Sequence, residues 1–80
     1  MLTPEQVQTT IESGLECELV RVAGDGQHFE AVIVSAHFRG KNRVQRHQMV
    51  YAALGERMRE EVHALSMKTL TPEEAAELNG

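Results

Sequence analysis

Eighty residues with 41% apolar side chains make enough core for one small domain and too much for a disordered tail. A formal charge of −4 argues against a dedicated nucleic-acid binder, and the single cysteine, Cys17, excludes an internal disulfide or a zinc site built from several thiolates. No stretch approaches the roughly 20 apolar residues of a membrane span. The opening "MLTPEQ" lacks a signal-peptide pattern, so the expectation is a single cytoplasmic domain over residues 1–80.

The first element reads as a helix from about Pro4 to Ser13. Thr3 can cap it, Pro4 suits its first position, and Gln6 completes a capping box, with Val7 and Ile11 inward and Gly14 at the stop. Two strand-like runs follow, "LECELVRVA" and "HFEAVIVSA", separated by "GDGQ". Gly and Asp tolerate positive φ, so the pair reads as a hairpin. Phe29, Ala31 and Ile33 share one face of the second run, and Val32 and Val34 the other, which predicts a central strand covered on both sides. The first run slips in phase around Glu18 to Val20, and its inward face stays open.

"RGKNRVQRH" then gathers Arg39, Lys41, Arg43 and Arg46, with no acid between Glu30 and Glu56. The rest of the chain holds 4 positive and 12 negative charges, or −8, so a basic patch sits on an acidic body. From Arg43 to Arg59 the spacing is helical: Val44, His47, Tyr51, Leu54 and Met58 recur at 3, 4, 3, 4, and Gly55 marks a break or a close approach. "EVHALSMK" reads as a third strand opened by His63, and "TPEE" starts a short acidic helix from Pro72 to about Leu78.

The order α-β-β-α-β-α predicts an α+β fold, a three-stranded mixed sheet packed against helices. Its β-α-β unit should make the second and third strands parallel through a right-handed crossover. Parallel neighbours begin at the same edge, so His28 and His63 are expected at one rim. There they are either half of a metal site completed by a partner, or an exposed loop residue beside a hydrogen-bonded strand residue. His63 is expected on its strand as the fixed member of the pair, and His28 on the adaptable loop. His47 reads as a packed residue of the helical stripe, His37 as a solvated loop residue, and Cys17 as a small buried side chain. No nucleophile motif surrounds Ser13, Ser35 or Ser66, and "GDGQ" is too short and acidic for a phosphate loop. The basic segment reads as the solvated start of a helix, or else as an anion or duplex contact through Arg39, Lys41, Arg43, Arg46 and His47.

"GDGQHF", "AVIVS", "RVQRHQMVY" and "VHALSMKTLTP", in that order from about Ile11 to Glu74, resemble the BolA family, in particular its short bacterial branch. The resemblance implies a KH-like fold of the second type and a non-enzymatic protein that binds a monothiol glutaredoxin. It also implies a bridging 2Fe–2S cluster shared with that partner and glutathione. The family's signature histidine corresponds to His63, and the second ligand lies where this chain has His28. Some members are transcriptional regulators, whose double-stranded DNA contact would fall on Arg39 to His47 here. The chain departs from the KH pattern at "GKNR", which lacks the second glycine of GxxG, and it lacks a long C-terminal tail.

Overall fold

Thr3 opens the first helix with the expected capping box: Gln6 N–H donates to Thr3 Oγ1 at 3.2 Å, and Thr3 N–H to Gln6 Oε1 at 2.9 Å. In the computed structural model, which describes residues 2–79, this helix, α1, runs Pro4–Gly14 and buries Val7 and Ile11 completely. Leu15 closes it, donating its N–H to the Ile11 carbonyl at 2.9 Å. The first strand therefore begins later than the apolar run suggests, and β1 is Leu19–Gly24.

Strand β2, His28–Val34, lies between β1 and β3, which spans Ala64–Leu70. It pairs antiparallel with β1, Val20 opposite Ile33, and parallel with β3, Phe29 opposite Leu65. The mixed three-stranded sheet and the parallel crossover are thus as expected. Phe29, Ala31 and Ile33 are buried, joining Val7, Ile11 and Val20 in one core. Each of these side chains except that of Ala31 contributes roughly 1.5–3 kcal/mol on leaving water. Cover on the second face is partial. Val34, at its closing end, is buried, whereas across β1, β2 and β3 the row Arg21, Val32, Lys68 faces away from the core, with Val32 36% exposed.

The turn after β2 corrects the sequence reading. Ala36–Phe38 form one turn of 3-10 helix, started by Ser35, whose hydroxyl accepts from His37 N–H and donates to the Glu16 carbonyl at 2.7 Å. That bend delivers Phe38 into the core, fully buried. Helix α2, Arg43–Leu54, starts from an Asn42–Gln45 capping box and ends at Gly55. There φ is +83°, a left-handed value that breaks the helix, and α3, Glu56–Glu61, sets off separately. Val50 and Leu54 are the buried residues of α2, whereas Val44, at the head of the expected stripe, is 65% exposed.

Helices α1 and α2 meet almost backbone to backbone. A Cβ added at Gly14 would lie 2.7 Å from the Ala53 carbonyl oxygen. After β3, helix α4 runs Pro72–Asn79 and buries none of its described side chains. No described helix is long and apolar enough to cross a membrane.

Candidate functional site

The β2–β3 register determines what stands at the sheet's opening end. His28, the first residue of β2, pairs with Ala64, the first of β3, and His63 immediately precedes Ala64. Two exposed histidines, 35 positions apart in the chain, thereby share one rim. Their supports are the reverse of the expectation. His28 lies on a strand and is braced by the turn before it, where the Asp25 carboxylate accepts from Gln27 and His28 N–H at 2.9 Å each. Those two backbone bonds, that from His28 first, hold the Asp25 carboxyl below the usual aspartate range. His63 is in the bend between α3 and β3, not on the strand, because Val62 N–H is still closing α3 on the Met58 carbonyl at 3.0 Å.

The two imidazoles also meet different surroundings. His63 lines an open cleft of about 1200 Å³ with Gly26, Gln27, Leu54 and Met58, roofed by the first turns of α1. Strand alternation sends Phe29 into the core and His28 to the opposite, bare side. Among the described residues no group of three or more His, Cys, Asp or Glu side chains could hold a metal ion. Cys17 lies at the far end of β2, where Glu18 N–H donates to the Val34 carbonyl. The six residues from there back to His28 span about 20 Å at ~3.3 Å per residue. Its thiol donates to the Leu15 carbonyl, and burial, then Glu12 and Glu16, push its pKa up, away from reactive thiolate.

The basic segment is partly neutralised by α4. Arg39 makes a two-pronged pair with Glu73, at 2.9 and 2.6 Å, which holds the Glu73 carboxyl at about 2. Arg46, its side chain only 13% exposed, donates to the carbonyls of Lys41 and Thr69 and to Glu74 at 2.7 Å. Glu74 in turn caps α4 by accepting from Thr71 N–H at 2.8 Å. Lys41 and Arg43 form no ion pair among the described residues, and His47 is half-buried with its pKa lowered by burial and then by Arg43. The sequence reading brought these five residues together but missed their counter-charges. "TPEE" signals a helix cap, and nothing local says that its glutamates reach partners 28 and 34 positions away.

A family model described as BolA-like protein matches residues 1–74. The chain is 38% identical over 79 residues to the acid stress protein IbaG of Escherichia coli K12, covering 94% of each chain. It is 47% identical over 51 residues to the DNA-binding transcriptional regulator BolA of Haemophilus influenzae, of which it covers 50%. A solved structure of a bolA protein homologue from Coxiella burnetii superposes with a TM-score of 0.81 at 44% identity, covering 95% of this chain and 99% of that one.

Proposed function

The chain belongs to the BolA family, and from that premise we propose that it is a non-enzymatic adaptor sharing a bridging 2Fe–2S cluster with a monothiol glutaredoxin. One observation carries this reading: the parallel register that sets His28 against Ala64, so that His28, on β2, and His63, in the bend just before β3, are exposed at one rim. Imidazole is a suitable iron ligand, and 2Fe–2S centres with mixed histidine and thiolate ligation are stable chemistry. A cluster of that kind needs four ligands, so two imidazoles from this chain would leave two thiolates for the partner and glutathione. The donor types suit such a half-site. His28 starts on the bare face and His63 in the cleft, so the two imidazoles would have to turn toward one another to share it, and Cys17 lies too far along the sheet to complete it. His63 and His28 would hold the iron, and the braced Asp25 turn would keep His28 in position. Histidine ligands compete with protons for the metal, so acid favours release. That agrees with the acid-stress name of the Escherichia coli relative.

The test is direct. The purified chain is mixed with a monothiol glutaredoxin, glutathione, ferrous iron and sulfide, and chromatographed with absorbance detection. A coloured heterodimer is expected, and a colourless mixture of separate proteins would defeat the reading.

A second reading, a DNA-binding regulator acting through residues 39–47, draws on the name of the Haemophilus influenzae relative and on the free Lys41 and Arg43. The pairing of Arg39 with Glu73 and of Arg46 with Glu74 halves the charge available to phosphates, which makes it the weaker of the two.

A further inference from the structure

Strand β3 closes the sheet on one side, and its outer edge carries groups that neither reading uses. Ser35 N–H donates to the Leu70 carbonyl at 3.0 Å from the β2 side. In a parallel ladder alternate residues direct both backbone groups to the same neighbour. Leu70, Lys68 and Ser66 therefore face β2, and Thr69, Met67 and Leu65 turn their backbone groups outward. Arg46 occupies one of these, the Thr69 carbonyl, at 3.1 Å. The Met67 N–H and carbonyl and the Thr69 N–H are left along the edge.

Met67 and Thr69 line one side of a cleft of about 480 Å³, and Lys41, Arg43 and His47, at and just before the start of α2, line the other. Lys68 lines it too, and with Lys41 and Arg43 has no ion pair among the described residues. Glu74, the one acid in the lining, is already bound to Arg46. An unpaired strand edge thus runs beside three uncompensated cations, in a chain whose net charge is −4.

We propose that this cleft receives an extended acidic segment of a partner protein, which adds to β3 as a fourth strand with its carboxylates over Lys41 and Arg43. Main-chain pairing supplies the affinity in strand addition, and flanking side chains select the sequence. The alternation of donor and acceptor at Met67 and Thr69 matches a peptide backbone. A sugar–phosphate chain offers no matching donors, and its phosphates would face the Met67 carbonyl. A second copy is disfavoured, because pairing β3 with β3 would bring two sets of Lys41, Arg43 and Lys68 together, and edge lysines are a common guard against self-pairing. Arg46 on the Thr69 carbonyl fixes where the added strand must stop. The site lies at the opposite end of β3 from His63 and does not depend on the cluster reading.

A fluorescein-labelled alternating Glu–Val peptide, its Lys–Val counterpart and a short oligothymidylate serve as probes of the full chain at low salt, by anisotropy and by NMR amide exchange. The Glu–Val peptide should bind, the Lys–Val peptide should not, and exchange at the Met67 and Thr69 amides should slow on binding. Reversing Lys41 and Arg43 together to Glu should weaken binding roughly tenfold or more, since opposed rim charges are repelled. Met67→Pro removes an outward N–H and spares the ladder to β2, so a folded M67P chain should not bind. Should M67P fail to fold, the charge-reversal variant and the exchange map carry the test. Tighter binding of oligothymidylate, protection of β1 amides instead, concentration-dependent dimers protecting the same edge, or no binding at all would each overturn the proposal.

Discussion

Where β2 and β3 begin, His28 and His63 stand exposed and unpaired; where the two strands end, Ser35, Arg46, Thr71 and Glu74 bond to one another and to the backbone. Both ends are polar, yet they do different work. At the closing end these four side chains all have internal partners, and no described buried side-chain nitrogen or oxygen lacks a hydrogen bond. Such groups contribute to the fold, and a ligand can recruit them only by breaking what they already hold. At the opening end the two imidazoles have no side-chain partner among the described residues, so a ligand can take them at little expense to the domain.

The sharpest way to test this contrast is to delete side chains at each end and compare cluster with fold. His63→Ala should reduce the cluster retained with a monothiol glutaredoxin and glutathione by at least about tenfold, since losses at metal sites run ~10–100-fold even for supporting residues. Its urea midpoint should not move, because the side chain is exposed. His28→Ala should leave a weaker, more easily lost cluster, and Cys17→Ser an unchanged spectrum. An unaltered cluster in the His63 variant would remove the assignment. At the closing end the pattern should invert. Arg46→Ala strips partners from Glu74 and the Thr69 carbonyl and should destabilise the chain by about 1–3 kcal/mol in urea unfolding, without affecting the cluster. Arg39→Ala, which opens an exposed pair, should leave the midpoint nearly unchanged.

Acid offers a gentler probe of the closing end. Arg39 lowers the Glu73 carboxyl to about 2, from an ordinary 4.5, and Arg46 lowers that of Glu74. Both are more acidic folded than unfolded, so their hold on α4 is present above the ordinary carboxylate range and is lost on acidification, that of Glu73 as pH falls toward about 2. Amide exchange in α4 should quicken over that window while the β2 amides stay protected; uniform loss of protection would mean that α4 has no separate hold. Salt gives the smallest effect. Of the four cations in residues 39–46, Lys41 and Arg43 have no ion pair among the described residues, so any duplex DNA binding there should fall with log salt at a slope near −2, steepening toward −4 when Glu73 and Glu74 are changed to Gln. No duplex binding at low salt would end the regulator reading.

Legibility followed the range of the interactions. The capping boxes of α1 and α4 and the alternation of Phe29, Ala31 and Ile33 are local rules, and they were readable. The shared rim followed from one topological rule, the parallel crossover. The helical stripe held for Tyr51, Leu54 and Met58, which are buried or pack against the core, and failed at Val44, whose place in the first turn of α2 leaves it 65% exposed. Phe38 was passed over because a three-residue turn has no periodicity to detect. The pairings Arg39–Glu73 and Arg46–Glu74 depend on where β3 delivers α4, which no window of sequence contains.

The contact of Gly14 with Ala53 bears on a region that neither residue touches. One wall of the cleft beside His63 is the first turns of α1, at Glu5 and Gln6, with Leu2 just before them, and the facing wall is Leu54 and Met58. Gly14 lies at the other end of α1, about 14 Å from Glu5 at ~1.5 Å per residue. A single methyl group there would act as a wedge at a fulcrum, and the long arm of α1 would swing farther than the wedge is thick. The gape of the cleft is therefore gauged by one missing carbon atom, placed where it never meets whatever enters.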